Sequence, residues 1–103
     1  MSDIEVVHVP EAERYEIRVD GKTAGFTEAH PRDDGIVLFP HTVIGDAYEG
    51  QGLASKLVTA ALDDVRENGL MIHVTCEYIK RFLGKHPEYV DLVAGPVDGP
   101  VSM

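Results

Sequence analysis

The sequence predicts an α/β domain: an antiparallel N-terminal meander, then a β-α-β crossover and a C-terminal helix, on a mixed sheet. Three observations carry this. Period-two alternation around an Asp-Gly pair marks the first third of the chain. A glycine loop then leads from an apolar strand into an amphipathic helix ending near Asn68. One more short strand and a second helix follow before Pro87. At 103 residues the chain fits one domain with a modest single core. We expect that domain over residues 4–93 and a flexible Gly/Pro-rich tail over 94–103.

Ile4–Val9 alternates in part and predicts a short strand that Pro10 ends. Arg14–Val19 is a clean period-two strand with Tyr15, Ile17 and Val19 on one face. Asp20-Gly21 is a strong hairpin signal, and Lys22–His30 returns as the second strand. Pro31–Gly35 turns the chain into a third long strand, Ile36–Ile44. Its run Ile36-Val37-Leu38-Phe39 does not alternate, as in a strand covered on both faces. Pro40 lacks an N–H, so irregular pairing is expected beside it. From Leu53 the apolar positions 53, 54, 57, 58, 61, 62 and 65 form a wide helical stripe, and Gly69 suits the left-handed cap. Asp63-Asp64 and Arg66-Glu67 read as its solvated face. Leu70–Thr75 predicts a strand parallel to Ile36–Ile44 through a right-handed crossover. Glu77–Lys85 predicts the last helix, with Tyr78, Ile79, Phe82 and Leu83 near one face. Glu88–Val93 fits a short strand or irregular packing.

A net charge of −9 argues against a nucleic-acid partner, because phosphate backbones need basic stripes. No apolar run approaches the roughly 18 residues of a membrane span, and Met1–Pro10 lacks the features of a secretion signal. One cysteine excludes an internal disulfide and fits a reducing compartment. We therefore expect a cytoplasmic protein, with neither nucleic acid nor membrane as partner, and a monomer or weak homodimer. His8, His30 and His86 show no metal spacing with acids or Cys76, so no metal site is expected. His73 alternates with Ile72 and Val74 and reads as structural or surface.

The glycine loop carries the functional signal. Glu49-Gly50-Gln51-Gly52-Leu53-Ala54-Ser55 opens a helix with no Ser, Thr, Asp or Asn at its N-cap. Two glycines let a ligand approach the backbone, and the helix dipole favours negative charge there. The physical reading is an anion site, most naturally for phosphate. A Walker A loop is excluded, since Lys56 follows Ala54-Ser55 rather than a glycine. A dinucleotide fingerprint lacks its third glycine, and only 27 residues follow Cys76 to complete such a sheet. The basic set Lys80, Arg81 and Lys85 is ordinarily solvated, yet lies within reach of a nucleotide phosphate.

This loop resembles motif A of the GCN5-related N-acetyltransferases, Gln/Arg-x-x-Gly-x-Gly/Ala. Gly52 and Ala54 match its last two named positions, while Glu49 stands where Gln or Arg is usual. A small subgroup of about a hundred residues shares more marks: His41-Thr42, Glu49 to Ala54, Cys76, and His86-Pro87-Glu88-Tyr89. The resemblance covers roughly residues 4–93. It implies a minimal acetyltransferase fold without the helical pair that usually follows the first strand. It also implies acetyl-CoA as co-substrate, held by Thr42, Val43, Ile44, Glu49, Gly50, Gln51, Gly52, Leu53, Ala54 and Ser55, with an amine acceptor the sequence does not name. The alternative is a non-catalytic module that binds acetyl-CoA or coenzyme A.

Acetyl transfer to an amine needs a neutral amine, a donor for the carbonyl oxygen and a proton for the departing thiolate. His41 is the candidate base; its other reading is a hydrogen-bonding residue at the strand end. Cys76 stands at the C-terminal end of a strand and could be nucleophile, proton donor or wall. Tyr78 is a candidate proton donor or a core aromatic.

Overall fold

The N-terminal strands pair as hairpins in the order the alternation predicts. The computed structural model describes residues 3–32 and 34–94. Strands β1 (Ile4–Val9) and β2 (Arg14–Val19) pair antiparallel, joined by a single 3-10 turn at Pro10–Ala12. Asp20 and Gly21, both at positive φ, form the two-residue turn into β3 (Lys22–Glu28). No helical pair stands between β1 and β2.

The two longest predicted strands each break. Lys22–His30 ends as β3 at Glu28, and His30–Pro31 forms a separate short strand, β4. The third strand divides into β5 (Ile36–Phe39) and β6 (Thr42–Ile44). Pro40 explains the second break: its ring fixes φ and removes a ladder donor. The His41 carbonyl instead accepts from Glu28 N–H at 2.9 Å, carrying β6 alongside β3. The result is two sheets, one ordered β1-β2-β3-β6 and antiparallel, the other β4-β5-β7 and mixed. Strand β7 (Met71–Val74) runs parallel to β5, from Ile36 opposite Met71 to Phe39 opposite Val74. Thr75 and Cys76 then both donate N–H bonds to the Phe39 carbonyl, at 3.2 Å. Beyond that point β6 and β7 part, and among the described residues β6 keeps one edge unpaired.

Between them runs α1 (Leu53–Glu67), which buries Leu53, Leu57, Val58, Ala61, Leu62 and Val65. Ala54 alone of the predicted stripe is only half-buried, because it lies in the first turn, beside the glycine loop. Gly69 sits at φ 71, the predicted left-handed position. Helix α2 is Glu77–Lys85, and a 3-10 segment at Pro87–Leu92 packs after it. Val93 closes with an isolated parallel bridge to Ile72 rather than a strand. Asp63 and Asp64 are not simply solvated. The Tyr89 hydroxyl donates to Asp63 and the Tyr15 hydroxyl to Asp64, each at 2.7 Å. The bond to Asp63 pushes the Tyr89 phenol up to about 12, because a donated proton stabilises the neutral form. Arg66 reaches both Asp91 oxygens, at 2.9 and 3.0 Å. These bonds fasten α1 to β2 and to the 3-10 segment. The expected tail lies outside the described residues beyond Ala94.

The expectation that Ile36–Phe39 is covered on both faces fails. Val37 and Phe39 are buried, but Ile36 and Leu38 are half-buried and stand outside the core cluster. The sheet face away from α1 also carries Arg14, Glu16 and Arg18, alternate to Tyr15, Ile17 and Val19. There Glu16 is only 6% exposed. Arg14 and Arg18 pair with it at 2.6 and 2.9 Å, Thr23 donates at 3.3 Å, and the Arg14 guanidinium lies over the Phe26 ring. Bonds from Arg18 and then Arg14 hold the Glu16 carboxyl below its ordinary value. A depressed folded-state value means the stabilisation is present above the ordinary glutamate range and is lost as pH falls through the folded value. Glu16→Ala removes the acceptor and leaves two guanidinium groups facing each other. We expect a cost of about 2 kcal/mol and a drop in Tm of roughly 10 °C by thermal denaturation at neutral pH. The gap between variant and wild type should close as the solution is acidified.

Candidate functional site

Backbone geometry makes the site before any side chain does. Gly50 and Gly52 stand at φ 80 and φ 72, a conformation that a side chain makes costly. A Cβ built on either would meet nothing within 4 Å, so the space in front of the loop is open. Gly52 is the N-cap of α1 and supplies no side-chain bond, and the first turn holds no acidic residue. Among the described residues, the N–H groups of residues 50–55 find no backbone acceptor. Six successive amides are thus left without a backbone acceptor in the loop and first turn, at the positive end of a four-turn helix.

A cavity of about 350 Å³ opens there, lined by Ile44 of β6, Tyr48, the loop residues Glu49, Gly50 and Gly52, the first turn Leu53, Ala54 and Ser55, and Tyr78 of α2. A second cavity of about 230 Å³ adjoins it through Ser55 and Tyr78, and is completed by Arg81, Phe82, Lys85 and His86. Burial raises the Tyr78 phenol above its ordinary value, with the Arg81 charge opposing.

The other predicted site residues, His41, Thr42, Val43, Gln51 and Cys76, line neither cavity. Val43 is half-buried on β6 opposite Phe26, and Gln51 is exposed in the loop. Thr42 and Cys76 lie where β6 and β7 part. The Cys76 thiol donates to Thr42 Oγ1 at 3.5 Å, and Thr42 is 2.8 Å from Thr27 Oγ1. Thr27 in turn donates to the His41 carbonyl at 3.5 Å. Cys76 is buried and lines neither cavity. His41 is exposed, and what it gives the fold is its carbonyl, not its ring. Thr27, fully buried, was not legible as a site neighbour, because its pairing with Thr42 exists only once the third strand has broken. Tyr48 was missed too; it ends the one-turn 3-10 segment Asp46–Tyr48, which no sequence signal announces. Among the described residues, no group of three or more His, Cys, Asp or Glu side chains is placed to hold a metal ion.

A glycine loop at the N-terminus of α1, beside β6 where it diverges from β7, marks the α/β arrangement of this site. The model of the GCN5-related N-acetyl-transferase family matches residues 14–92, and the chain belongs to that family. Among curated proteins, Protein NATD1 of Bos taurus is 50% identical over 52 residues, which cover 50% of this chain and 46% of that protein. The chain therefore spans about half the length of the first curated relatives it matches. The Xenopus tropicalis Protein NATD1 is 30% identical over 96 residues, covering 84% of this chain and 80% of that protein. Among solved structures, a GCN5-like protein of Staphylococcus aureus superposes with a TM-score of 0.70 at 25% identity, with both chains covered in full. The Escherichia coli ribosomal-protein-S18-alanine N-acetyltransferase shares the fold, with a TM-score of 0.58 at 14% identity, covering 72% of this chain and 66% of that one.

Proposed function

We propose that the protein transfers an acetyl group from acetyl-CoA to a primary amine, either a small amine or a lysine side chain. The observation that carries this reading is the row of unpartnered amides at residues 50–55, opening on a cavity beside the free edge of β6. Six N–H donors at a helix N-terminus fit the pyrophosphate of the coenzyme. Bound acetyl-CoA supplies an activated thioester. The free edge of β6 at Thr42, Val43 and Ile44 offers backbone groups to pair with its amides and an N–H to stabilise negative charge on the carbonyl oxygen. Tyr78 offers a proton to the departing sulfur. His41, exposed at the head of β6, is the candidate base for the incoming ammonium. Cys76 is held against Thr42 as part of the wall. A reducing, acetyl-CoA-containing compartment such as the cytoplasm suits one free cysteine.

Calorimetry with acetyl-CoA and coenzyme A, against NAD and ATP, tests the reading. We expect both coenzyme forms to bind and NAD not to. No binding of either form at millimolar concentration would refute it. A second reading, a coenzyme-binding module without turnover, is favoured by the single 3-10 turn between β1 and β2, which leaves the acceptor side without its usual helices. Thiol release no faster than spontaneous hydrolysis, across polyamines, small amines and lysine peptides, would support that reading instead.

Glu49 lines the cavity where relatives of this motif carry Gln or Arg. Its charge opposes a pyrophosphate. Two phosphate charges at about 8 Å in water correspond to about 1 kcal/mol. Glu49→Gln should therefore tighten coenzyme A binding about fivefold, with a gain that shrinks at high salt. Unchanged affinity at low salt would mean that the pyrophosphate lies elsewhere.

A further inference from the structure

We infer that the cavity between the first turn of α1 and the outer face of α2 is a phosphate-monoester subsite, which reads the 3′-phosphate at the nucleotide end of coenzyme A. The inference rests on the reading of the glycine loop as a coenzyme site and adds a second anion contact to it. The cavity continues the loop cavity through Ser55 and Tyr78 and runs along α2 past Arg81 to Lys85. Tyr78, Arg81 and Lys85 recur at helical spacing, so they share one face of α2. From Tyr78 to Lys85 the helix rises about 10 Å, the scale of one nucleoside. A ligand whose pyrophosphate rests on the loop amides thus meets these cations at its far end.

Charge pairing sets the cavity apart from most of the basic surface; Lys22 and Lys56 also pair with no carboxylate among the described residues, but they line neither cavity. Arg14, Arg18, Arg32 and Arg66 each pair with a carboxylate. Lys80, next to Arg81 but outside the cavity, is 3.9 Å from Glu77. Arg81 and Lys85 pair with no carboxylate among the described residues, and no acidic residue lines the cavity. In a chain of net charge −9, such a carboxylate-free pocket concentrates positive potential where the remaining surface repels anions. His86 closes the end, stacked on Phe82 at 4.2 Å, with its Nδ1 3.5 Å from Glu88 Oε2. A guanidinium can bond a phosphate through two N–H groups, and the lysine adds a point charge.

The test compares coenzyme A with dephospho-coenzyme A, which lacks only the 3′-phosphate, by calorimetry on the full chain. Wild type is expected to prefer coenzyme A by roughly 10- to 100-fold, the range of one or two charge-assisted contacts. The Arg81→Gln/Lys85→Gln double variant should bind dephospho-coenzyme A as wild type does and lose the preference. Its retained affinity for dephospho-coenzyme A is also the folding control. Adenosine 3′,5′-bisphosphate should compete with coenzyme A in wild type and not in the double variant. Equal binding of the two coenzymes by wild type would overturn the inference and leave the coenzyme reading standing. A preference that survives in the double variant would overturn it too, since the phosphate would then be read elsewhere. Binding of neither form would sink both.

Discussion

Gly52→Glu is expected to abolish binding of acetyl-CoA and coenzyme A while the protein stays folded. The position tolerates a side chain sterically, because a Cβ there meets nothing within 4 Å. Its φ of 72 makes any L residue strained, at a cost of about 1–2 kcal/mol in stability. A carboxylate at the N-terminal end of α1 does not add to that cost, since the helix dipole favours it. For an anionic ligand the same carboxylate is harmful twice. It competes for the open amides of residues 50–55, and it sets like charge against the pyrophosphate. Like-charge juxtaposition costs several kcal/mol; at about 4 kcal/mol the affinity falls on the order of 10³-fold. Gly52→Ala carries the strain without the charge and separates the two effects. It should lose similar stability and much less affinity. Coenzyme A binding within a few-fold of wild type in Gly52→Glu would remove the loop from the coenzyme site.

That loop was legible in the sequence for a reason the rest of the site lacks. Gly50-Gln51-Gly52 restricts its own backbone, and the helix after it follows from its own periodicity. The same holds for β2 and α2. Arg14–Val19 alternates strictly, and Pro87 stops the helix that Glu77 starts. Where the outcome depends on what packs against an element, sequence reasoning went astray. The apolar run Ile36–Phe39 is equally compatible with burial on one face or two, and here Ile36 and Leu38 stand outside the core cluster of the described residues. Pro40 announced irregular pairing but not that β6 would join β3 while β5 keeps β7. Strand alternation puts Glu16 on the face opposite Tyr15, Ile17 and Val19. Only the positions of Arg14, Arg18 and Thr23 around it make it a buried acceptor. Tyr78 stood beside Ile79 and Phe82 on the helix, and its place on the flank facing both cavities depends on how α2 docks.

In the proposed acetyl transfer, that docking bears on the proton that the departing thiolate would need. Cys76 and Tyr78 lie two residues apart, but their surroundings differ. The Cys76 thiol is buried, already donates to Thr42 and lines no cavity. The Tyr78 ring lines both cavities, and burial keeps its phenol protonated to a pH above the ordinary value of 10.0. A general acid must hold its proton when the thiolate leaves, so Tyr78 meets the requirement across the neutral range. We expect Tyr78→Phe to lower kcat on the order of 10²-fold or more, as loss of a general acid does, with acetyl-CoA affinity kept within a few-fold because the ring remains. Cys76→Ala should leave kcat within a few-fold and cost about 1–2 kcal/mol in stability, since it empties part of the packed wall between β6 and β7. Wild type should carry no acetyl mass adduct at Cys76 during turnover, and its alkaline loss of rate should lie above pH 10. Full activity in Tyr78→Phe together with a 10²-fold loss in Cys76→Ser would move the acid to the cysteine. An acetyl-Cys76 species forming and decaying at the rate of turnover would instead make it the nucleophile.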